Sequence, residues 1–340
     1  MNQRPSPVTR KDIAREAGVS ETIVSYVMNN NRYVDKEKRK RVLEAVEKLG
    51  YRPNPIARAL KGKRMNHILF ITDQLISEHF SLLLSELEKN AYDLGYIISL
   101  CGNRNTRQFV DDIISRCYDG VIISSISFPE EYIQQLIDAN ISVVLIVNRD
   151  YHNITGAAKV DSGLYEGIKE SLRYLYGLGC RNMIYIDRFS PNSHFSDEND
   201  MRYRGFSQEL KALGLSSCPQ QNIITGCHSR EEVARQTEIY IRTHPVDAIL
   251  GRNDELAYIA MQKAQSLGRR IPEDIKVMGF DNSTISQLCT PPITTMEIER
   301  PAMAKAIIDM LQNMIENHTL SPAVAFPTRL IERGSTKKEL

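Results

Sequence analysis

The sequence predicts a small all-helical unit at its amino end, followed by an α/β core of two lobes built from doubly wound parallel sheets. Residues 1–53 contain three short helical segments with cap and stop signals. From residue 67 onward, buried-strand and helical segments alternate in two successive series. Charge divides the chain near the same place. Residues 1–64 hold 16 basic and 7 acidic residues, a net charge of +9, and the rest hold 27 and 35, a net charge of −8.

The bulk composition excludes several classes of protein. At 340 residues, with 42% hydrophobic and 25% charged residues, the chain can bury a substantial core. It has no apolar run of the roughly 20 residues that span a bilayer, and its start lacks the apolar segment of a signal peptide, so we expect a cytoplasmic protein. Its 6 cysteines form no C-x-x-C pair, so we expect no metal site, no disulfide framework and no cofactor.

Cap residues define the first two helices. Thr9, with Asp12 three residues later, predicts the start of a first helix, which Gly18 ends. Ser20 then predicts the start of a second helix that runs to about Asn29.

A third helix is predicted after a polar turn. Asp35 caps it and Gly50 ends it. Its spacing of apolar residues predicts an inward face made by Val42, Leu43, Val46 and Leu49. Three short helices with a tight turn between the first two indicate a helix-turn-helix unit, residues 1–53, that binds DNA.

The second helix carries a polar face that is poor in Lys and Arg, formed by Glu21, Thr22, Ser25 and Tyr26. Such side chains suit contacts with base edges, while basic residues on the flanks of the unit suit phosphates. The basic run at residues 36–41 is equally compatible with a solvated helix face. The charge asymmetry and the helix signals together favour DNA binding.

Residues 54–66 are predicted to be a hinge. Asn54 and Pro55 can start a short helix that reaches Leu60, with Ile56 and Leu60 on one face. A segment this short is marginal alone and would fold against DNA or a partner. The alternative is an ordinary interdomain linker.

Residues 67–340 are predicted to form two parallel sheets covered by helices. The predicted strands are HILFIT, YIISLC, DGVIISS, SVVLIV, NMIYID, VDAIL and IKVMGF. Ligands of such folds bind at the carboxyl ends of strands, which predicts a site between the lobes. Residues just after strands are candidate contacts, although each could instead be a helix cap or a structural hydrogen-bond partner: Asp73, Arg149, Asn253, Asp254, Asp281 and Asn282.

Several stretches resemble the LacI/GalR family of bacterial transcription regulators. They are VTRKDIAREAGVSETIVSYVMNN, RVLEAVEKLGYRPNPIARAL, DAILGRNDELA, IPEDIKVMGFDN, TPPITTM and LIERGST. The resemblance covers nearly the whole chain in family order. It implies a periplasmic-binding-protein-like core, with an N-lobe of about 67–162 plus 299–325 and a C-lobe of about 163–298 plus the C-terminal strand. It also implies a repressor that binds a pseudo-palindromic operator as a homodimer and responds to a small molecule, a sugar or sugar derivative.

The resemblance also implies positions of DNA contact. Residues matching Leu60 wedge into a central base step from the minor groove. Where the family usually has Thr-Val-Ser-Arg, this chain has Ile23-Val24-Ser25-Tyr26, so Tyr26 lacks the two-pronged donor that reads guanine, and we expect a different operator. The residues expected to contact DNA are Thr9, Ser20, Glu21, Thr22, Ile23, Ser25, Tyr26, Asn29, Asn54, Ile56, Ala57, Leu60 and Lys61.

For the effector, the resemblance implies that Arg202 grips hydroxyls or carboxylates and that Asp281 accepts hydrogen bonds from sugar hydroxyls. The residues expected to contact the effector are Asp73, His79, Arg149, Asp161, Arg202, His228, Asn253 and Asp281. For His228, a structural role is the simpler interpretation. The acidic tract SDENDMRYRG, residues 196–205, could indicate an effector with amino groups, or a solvated acidic loop, which is the simpler interpretation.

The sequence disfavours two other classes of function. An enzyme is disfavoured because the chain has no G-x-S-x-G, no P-loop and no G-x-G-x-x-G after a strand. A solute-binding protein without DNA contact is disfavoured by the basic amino end. The remaining alternative is a cytoplasmic solute-binding or sensor protein that acts mainly through a protein partner.

Overall fold

The computed structural model describes residues 8–30, 32–52 and 64–337, and the chain divides into two compact units after Met65. The amino-terminal unit contains the helices α1 Arg10–Ala17, α2 Glu21–Asn29 and α3 Lys36–Leu49.

The predicted caps of these helices are confirmed. The Asp12 N–H donates to the Thr9 hydroxyl (3.4 Å), and the Thr9 N–H donates to the Asp12 carboxylate (2.9 Å), which completes a capping box. Gly18 ends α1 in the left-handed region with φ of +62°, where a side chain would be strained. Gly50 ends α3 in the same way, with φ of +60°. The boundaries of these helices are therefore set by local chemistry.

Ile13, Val24 and Val42 are fully buried and join the three helices of this unit. The predicted inward face of α3 was wrong at Leu43, whose side chain is 51% exposed. Ala45 is buried in its place, because a helix advances about 100° per residue and Leu43 turns away from the face that Val42 begins.

The second unit contains two six-stranded sheets. The first has the order β11-β5-β4-β3-β1-β2, with all neighbours parallel. Its strands are β1 His67–Thr72, β2 Ile97–Gly102, β3 Gly120–Ser124, β4 Ser142–Val147, β5 Ala158–Asp161 and β11 Val324–Ala325. The second has the order β12-β10-β9-β8-β6-β7, and only β12 is antiparallel to its neighbour. Its strands are β6 Met183–Ile186, β7 Ile223–Ile224, β8 Ala248–Gly251, β9 Lys276–Phe280, β10 Thr294–Ile298 and β12 Thr328–Ile331.

Helices cover both faces of each sheet. They are α4 Glu78–Tyr92, α5 Arg107–Ser115, α6 Glu130–Asp138, α7 Leu164–Gly177, α8 Met201–Ala212, α9 Arg230–Thr243, α10 Asp254–Ser266, α11 Thr284–Leu288 and α12 Arg300–Asn317. In the first sheet, Ile68 and Phe70 pack with side chains of α4 and α12, while Leu69 and Ile71 pack with those of α5 and α6. The second sheet is covered in the same way: α7 and α8 pack on one face, and α9 and α10 pack on the other. The predicted fold class is confirmed.

Within residues 64–337 the chain passes from one sheet to the other three times: after β5, after β10, and between β11 and β12. We call the part around the first sheet the N-lobe and the part around the second sheet the C-lobe. Among the helices that the structure describes, none has both the length and the apolar character needed to cross a bilayer.

Candidate functional site

The polar face of α2 is the first candidate site. Val24 and Val27 anchor the helix in the core of the amino-terminal unit. Glu21 and Thr22, in its first turn, are exposed, and Tyr26 is half-buried. The helix therefore presents short polar side chains to solvent on a unit whose sequence carries a positive net charge.

Several predicted DNA contacts already have partners within this unit. The Asn29 amide donates to the Ser25 carbonyl (2.7 Å) and hydroxyl (3.1 Å). The Tyr26 ring and Ile23 pack at the edge of the core, and the Arg32 guanidinium carbon lies 5.2 Å from the Tyr26 ring centroid. The contacts of Tyr26 and Asn29 fix the orientation of the side chains on this face.

Thr9 and Ser20 act as helix caps. The Ser20 hydroxyl accepts a hydrogen bond from the Ile23 N–H at 3.4 Å, and Thr9 closes the capping box of α1. The remaining predicted DNA contacts lie outside the described residues: Asn54, Ile56, Ala57, Leu60 and Lys61.

The second candidate site is a cavity of about 90 Å³ between the two lobes. Both lobes line it with the polar residues that follow their strands. Five of the predicted effector contacts are among the lining residues: Asp73, His79, Arg202, Asn253 and Asp281.

Arg202 and Asp281 form a buried pair in this cavity. Arg202, in the first turn of α8, donates from Nη2 to Oδ1 of Asp281 at 3.1 Å. His79, from the first turn of α4 in the N-lobe, places Nδ1 3.8 Å from the same carboxylate oxygen. Burial lowers the pKa of His79 to about 4, so the imidazole is neutral at pH 7. The carboxylate of Asp281 therefore accepts a hydrogen bond from the charged Arg202 and has a neutral imidazole beside it, while the charges of Arg300 and Arg252 also favour its ionised form.

Asp73, just after β1, is held by several donors of the N-lobe. Its carboxylate accepts from the hydroxyls of Ser125 and Ser127 (2.5 and 2.8 Å) and from the Ile126 N–H (2.8 Å). Arg188 of the C-lobe reaches the same carboxylate from Nη1 at 3.4 Å. Although burial opposes it, the charge of Arg188 and these hydrogen bonds hold the pKa of Asp73 below its usual value. This pair joins the two lobes across the cavity.

Arg252 was not among the predicted residues, yet it is the centre of a buried ionic network. Its guanidinium donates to Asp187 (3.2 Å), to the Ser196 hydroxyl (3.1 Å) and to both carboxylate oxygens of Asp200 (3.0 and 2.7 Å). Asp187, Asp200 and Arg252 are all buried. Despite burial, Arg252 holds the pKa of Asp200 below its usual value. Arg188 and Arg252 follow β6 and β8, so the same position-after-strand criterion would have found both.

Three predicted effector residues do not line the cavity. Arg149 donates from Nη2 to the Phe128 carbonyl at 2.5 Å. Asp161 accepts from the Gly163 N–H at 2.8 Å, which fixes the turn after β5. His228 lies beside the start of α9, with Nδ1 3.2 Å from the Ser190 carbonyl oxygen. Each of these side chains forms a hydrogen bond that serves the local structure. For His228, this agrees with the structural role that the sequence analysis gave as the simpler interpretation.

Two further candidates after strands are also engaged in structure. Asp254 accepts from the Ser283 N–H (2.6 Å) and the Thr295 hydroxyl (2.5 Å), and burial raises its pKa to about 7. Asn282 donates to Glu297 at 2.8 Å. Asn253 lines the cavity, and its side chain also caps α10 by accepting from the Leu256 N–H at 2.9 Å.

Comparison with known sequences adds two family matches. Residues 9–54 match bacterial regulatory proteins of the lacI family, and residues 172–336 match a periplasmic binding protein-like domain. The chain is 28% identical to the ribose operon repressor of Halalkalibacterium halodurans, over 97% of each chain. It is 27% identical to the HTH-type transcriptional repressor PurR of Escherichia fergusonii, over 96% of each chain.

Solved structures with the same fold cover most of the chain. One is the lac repressor dimer bound to operator and the anti-inducer ONPF, with a TM-score of 0.82, 23% identity, and coverage of 97% of this chain and 99% of that one. Another is a LacI family transcriptional regulator from Enterococcus faecium with bound ribose, with a TM-score of 0.67, 19% identity, and coverage of 79% and 98%. At these identities the likeness shows the fold.

Proposed function

The chain joins a lacI-family DNA-binding domain of bacterial regulatory proteins to a periplasmic-binding-protein-like domain, and on that premise we propose that it is a transcriptional repressor. It binds a pseudo-palindromic operator as a homodimer, because one small helical unit spans only a half-site. A small molecule, a sugar or sugar derivative, binds between the lobes and controls operator affinity. Such a protein has no catalytic step and works at the nucleoid in the bacterial cytoplasm.

The observation that carries this proposal is the presentation of α2. Its buried face is fixed by Val24 and Val27, and its exposed first turn carries Glu21 and Thr22. A helix held this way can place short polar side chains against base edges, while basic residues of the same unit neutralise phosphates. Two relatives, a ribose operon repressor and the HTH-type transcriptional repressor PurR, support the same role.

The cavity between the lobes supports control by a small polar ligand. Arg202 supplies a guanidinium donor and Asp281 a carboxylate acceptor, a combination that suits hydroxyl and acidic groups. His79, from the N-lobe, places its Nδ1 3.8 Å from the same carboxylate of Asp281. A ligand that contacts both lobes favours one arrangement of them, and differential affinity for two states is what ligand control requires.

Operator binding is tested first. DNA sites are selected in vitro with the full-length protein, and binding is followed by gel shift across salt concentrations. A two-fold symmetric site, with affinity that falls about 10³-fold or more between 50 and 200 mM salt, is expected if six or more phosphates are contacted. Binding of a monomer without salt dependence would refute the proposal.

Ligand control is tested with Arg202→Ala and Asp281→Ala, after each variant has been checked for operator binding. A screen of sugars by thermal shift supplies the ligand, since binding to the native state raises the midpoint. Both variants should need a much higher concentration of that ligand to change operator affinity. Arg235→Ala, at a surface pair with Glu232 on α9, is the control that should respond normally. Normal responses in all three variants would indicate a protein partner as the regulator.

A further inference from the structure

Of the two guanidinium groups that follow strands of the C-lobe at the cavity, Arg188 is bonded far less than Arg252. Arg252 makes four hydrogen bonds of 2.7 to 3.2 Å. Arg188, which is 9% exposed, makes one long side-chain hydrogen bond to the part of the chain that the structure describes, 3.4 Å to Asp73. Its Nε is buried and has no hydrogen-bond partner among the described residues. A buried charge with so few partners is costly, so its presence requires an explanation.

Asp73 supplies only part of that explanation. Its carboxylate already accepts from Ser125, Ser127 and the Ile126 N–H, with the Asn103 amide as a weaker fourth donor at 3.4 Å. The charge of Arg188 adds to these hydrogen bonds in keeping Asp73 ionised, but the contact between the two side chains is long, 3.4 Å, and leaves the other nitrogens of the guanidinium to other partners.

The surroundings of Arg188 also oppose its charge. Burial, together with the charge of Arg252, lowers the pKa of the Arg188 guanidinium, although the carboxylates of Asp73, Asp187 and Asp200 act in the opposite direction. The charge of Arg188 is therefore only partly compensated by these carboxylates.

The rest of the cavity lining has the same unmet demand for acceptors. Among the residues that the structure describes, Arg202 Nε is a buried donor without a hydrogen-bond partner, and His79 Nδ1, which donates or accepts according to the tautomer, is also buried without one. One lining acceptor, Asn148 Oδ1, is unpartnered as well and suits a ligand hydroxyl. Guanidinium groups bind carboxylate and phosphate through paired donors, and such bonds are about twice as strong as neutral ones.

We propose that Arg188 is an effector-binding residue and that the effector is an acidic polyol, a sugar acid or a sugar phosphate. Its anionic group binds Arg188 in place of the long contact with Asp73, and its hydroxyls bind Asn148 and Asp281. This inference rests on the proposed function, because it names the ligand class of the same site.

The first test needs no ligand. Arg188→Met, measured by thermal unfolding of the full-length protein, should raise the midpoint, because a poorly compensated buried charge is replaced by an apolar side chain of similar length. Arg252→Met should lower the midpoint, because it leaves two buried carboxylates without their cation. If Arg188→Met lowers the midpoint as Arg252→Met does, Arg188 is a structural ion-pair residue and the proposal is overturned.

The second test identifies the ligand class. Thermal midpoints are measured at equal ionic strength with D-gluconate and D-glucuronate, with glucose 6-phosphate and ribose 5-phosphate, and with uncharged D-glucose and D-ribose. We expect a rise with acids of one of the first two groups, which separates carboxylate from phosphate ligands. Arg188→Met should bind that acid at least about 30-fold more weakly than the wild-type protein does. The affinity of Arg188→Lys should lie between those of the wild-type protein and Arg188→Met.

The outcomes separate this inference from the proposed function. Wild-type protein that binds its operator but is stabilised only by uncharged sugars keeps the proposed function and overturns this inference. No rise with any acid, or an equal affinity of Arg188→Met for the acid, also overturns it. Failure of the wild-type protein to bind any selected operator is a failure of the proposed function, whatever the acids do.

Discussion

Helix α2 and the cavity between the lobes use polar side chains in opposite ways. In α2, Glu21 and Thr22 are exposed to solvent, and the Ser20 cap bonds a residue three positions away. In the cavity, Arg202 and Asp281 are largely buried and paired with each other across 79 positions of sequence. The surface that we propose for DNA keeps its polar groups solvated, whereas the polar groups of the cavity already contact one another.

Charge therefore matters more for stability in the cavity than on α2. Coulomb interactions and desolvation are both larger in a buried site than in water, so removing one partner from a buried network costs more free energy of unfolding than breaking a surface pair. Changes in the cavity lining should therefore alter folding, while changes on α2 should alter DNA binding with little effect on folding.

The largest effect is expected from Arg252→Met. The substitution leaves Asp187 and Asp200 buried without their cation, and it should reduce the free energy of unfolding by about 3–5 kcal/mol. Urea unfolding at pH 7 measures it. As a matched control, Arg235→Met removes a surface pair with Glu232 and should cost less than about 1 kcal/mol. Equal losses in the two variants would remove the distinction between buried and exposed charge.

The next effect concerns pH. Asp254 has a folded-state pKa of about 7, raised from 3.8 by burial, so the folded state binds more protons than the unfolded state between these values. Its contribution to stability therefore falls as pH rises from about 4 to 7, by up to about 1.4 kcal/mol per pH unit. Asp254→Asn keeps an acceptor for Ser283 and should flatten that slope. Parallel pH curves for variant and wild type would show that Asp254 is ionised at no cost.

A smaller effect, confined to DNA, is expected from Tyr26→Arg. The arginine restores a two-pronged donor for guanine O6 and N7, worth roughly 1–3 kcal/mol at one base pair. Sites selected in vitro should gain a guanine in each half-site, while the unfolding midpoint of the core changes little. If wild type and variant select the same consensus, Tyr26 does not contact bases.

The smallest effect is expected from Thr9→Ala. Loss of the capping box should destabilise α1 by about 1 kcal/mol. Hydrogen exchange should become faster for amides of α1 and stay unchanged for those of β1 and β8. Faster exchange in both units would mean that their stabilities are coupled.

The difference between local contacts in the amino-terminal unit and long-range contacts in the cavity also explains how much could be predicted from the sequence. The caps Thr9, Ser20 and Asp35 were predicted correctly because each bonds backbone amides within three residues. The long apolar strands were also found, because parallel strands buried on both faces have nearly continuous apolar sequences. Strands β5, β7, β10 and β11 were not predicted. Strands β7 and β11 have only two residues each, and β5 (AKVD) and β10 (TTMEI) lack the continuous apolar run of the predicted strands.

The cavity was predicted less well because its membership depends on long-range packing. Asp73, Arg202 and Asp281 were expected in it and line it, but Arg149 and His228 are directed to backbone carbonyls instead. Position after a strand brings a residue to the correct edge of the sheet. It does not determine which nearby groups then bind its side chain.

The three passages of the chain between the sheets have a consequence for synthesis on the ribosome. The helices of residues 10–49 emerge early and need only local contacts. Each sheet, in contrast, lacks one of its two edge strands until β11 or β12 emerges, so β5 and β10 stay unpaired on one side until then. Open edges pair readily with strands of other chains. A stop codon shortly before Val324 should therefore yield a truncated chain in which β5 and β10 are open edges, and we expect that chain to aggregate more readily than the full-length protein.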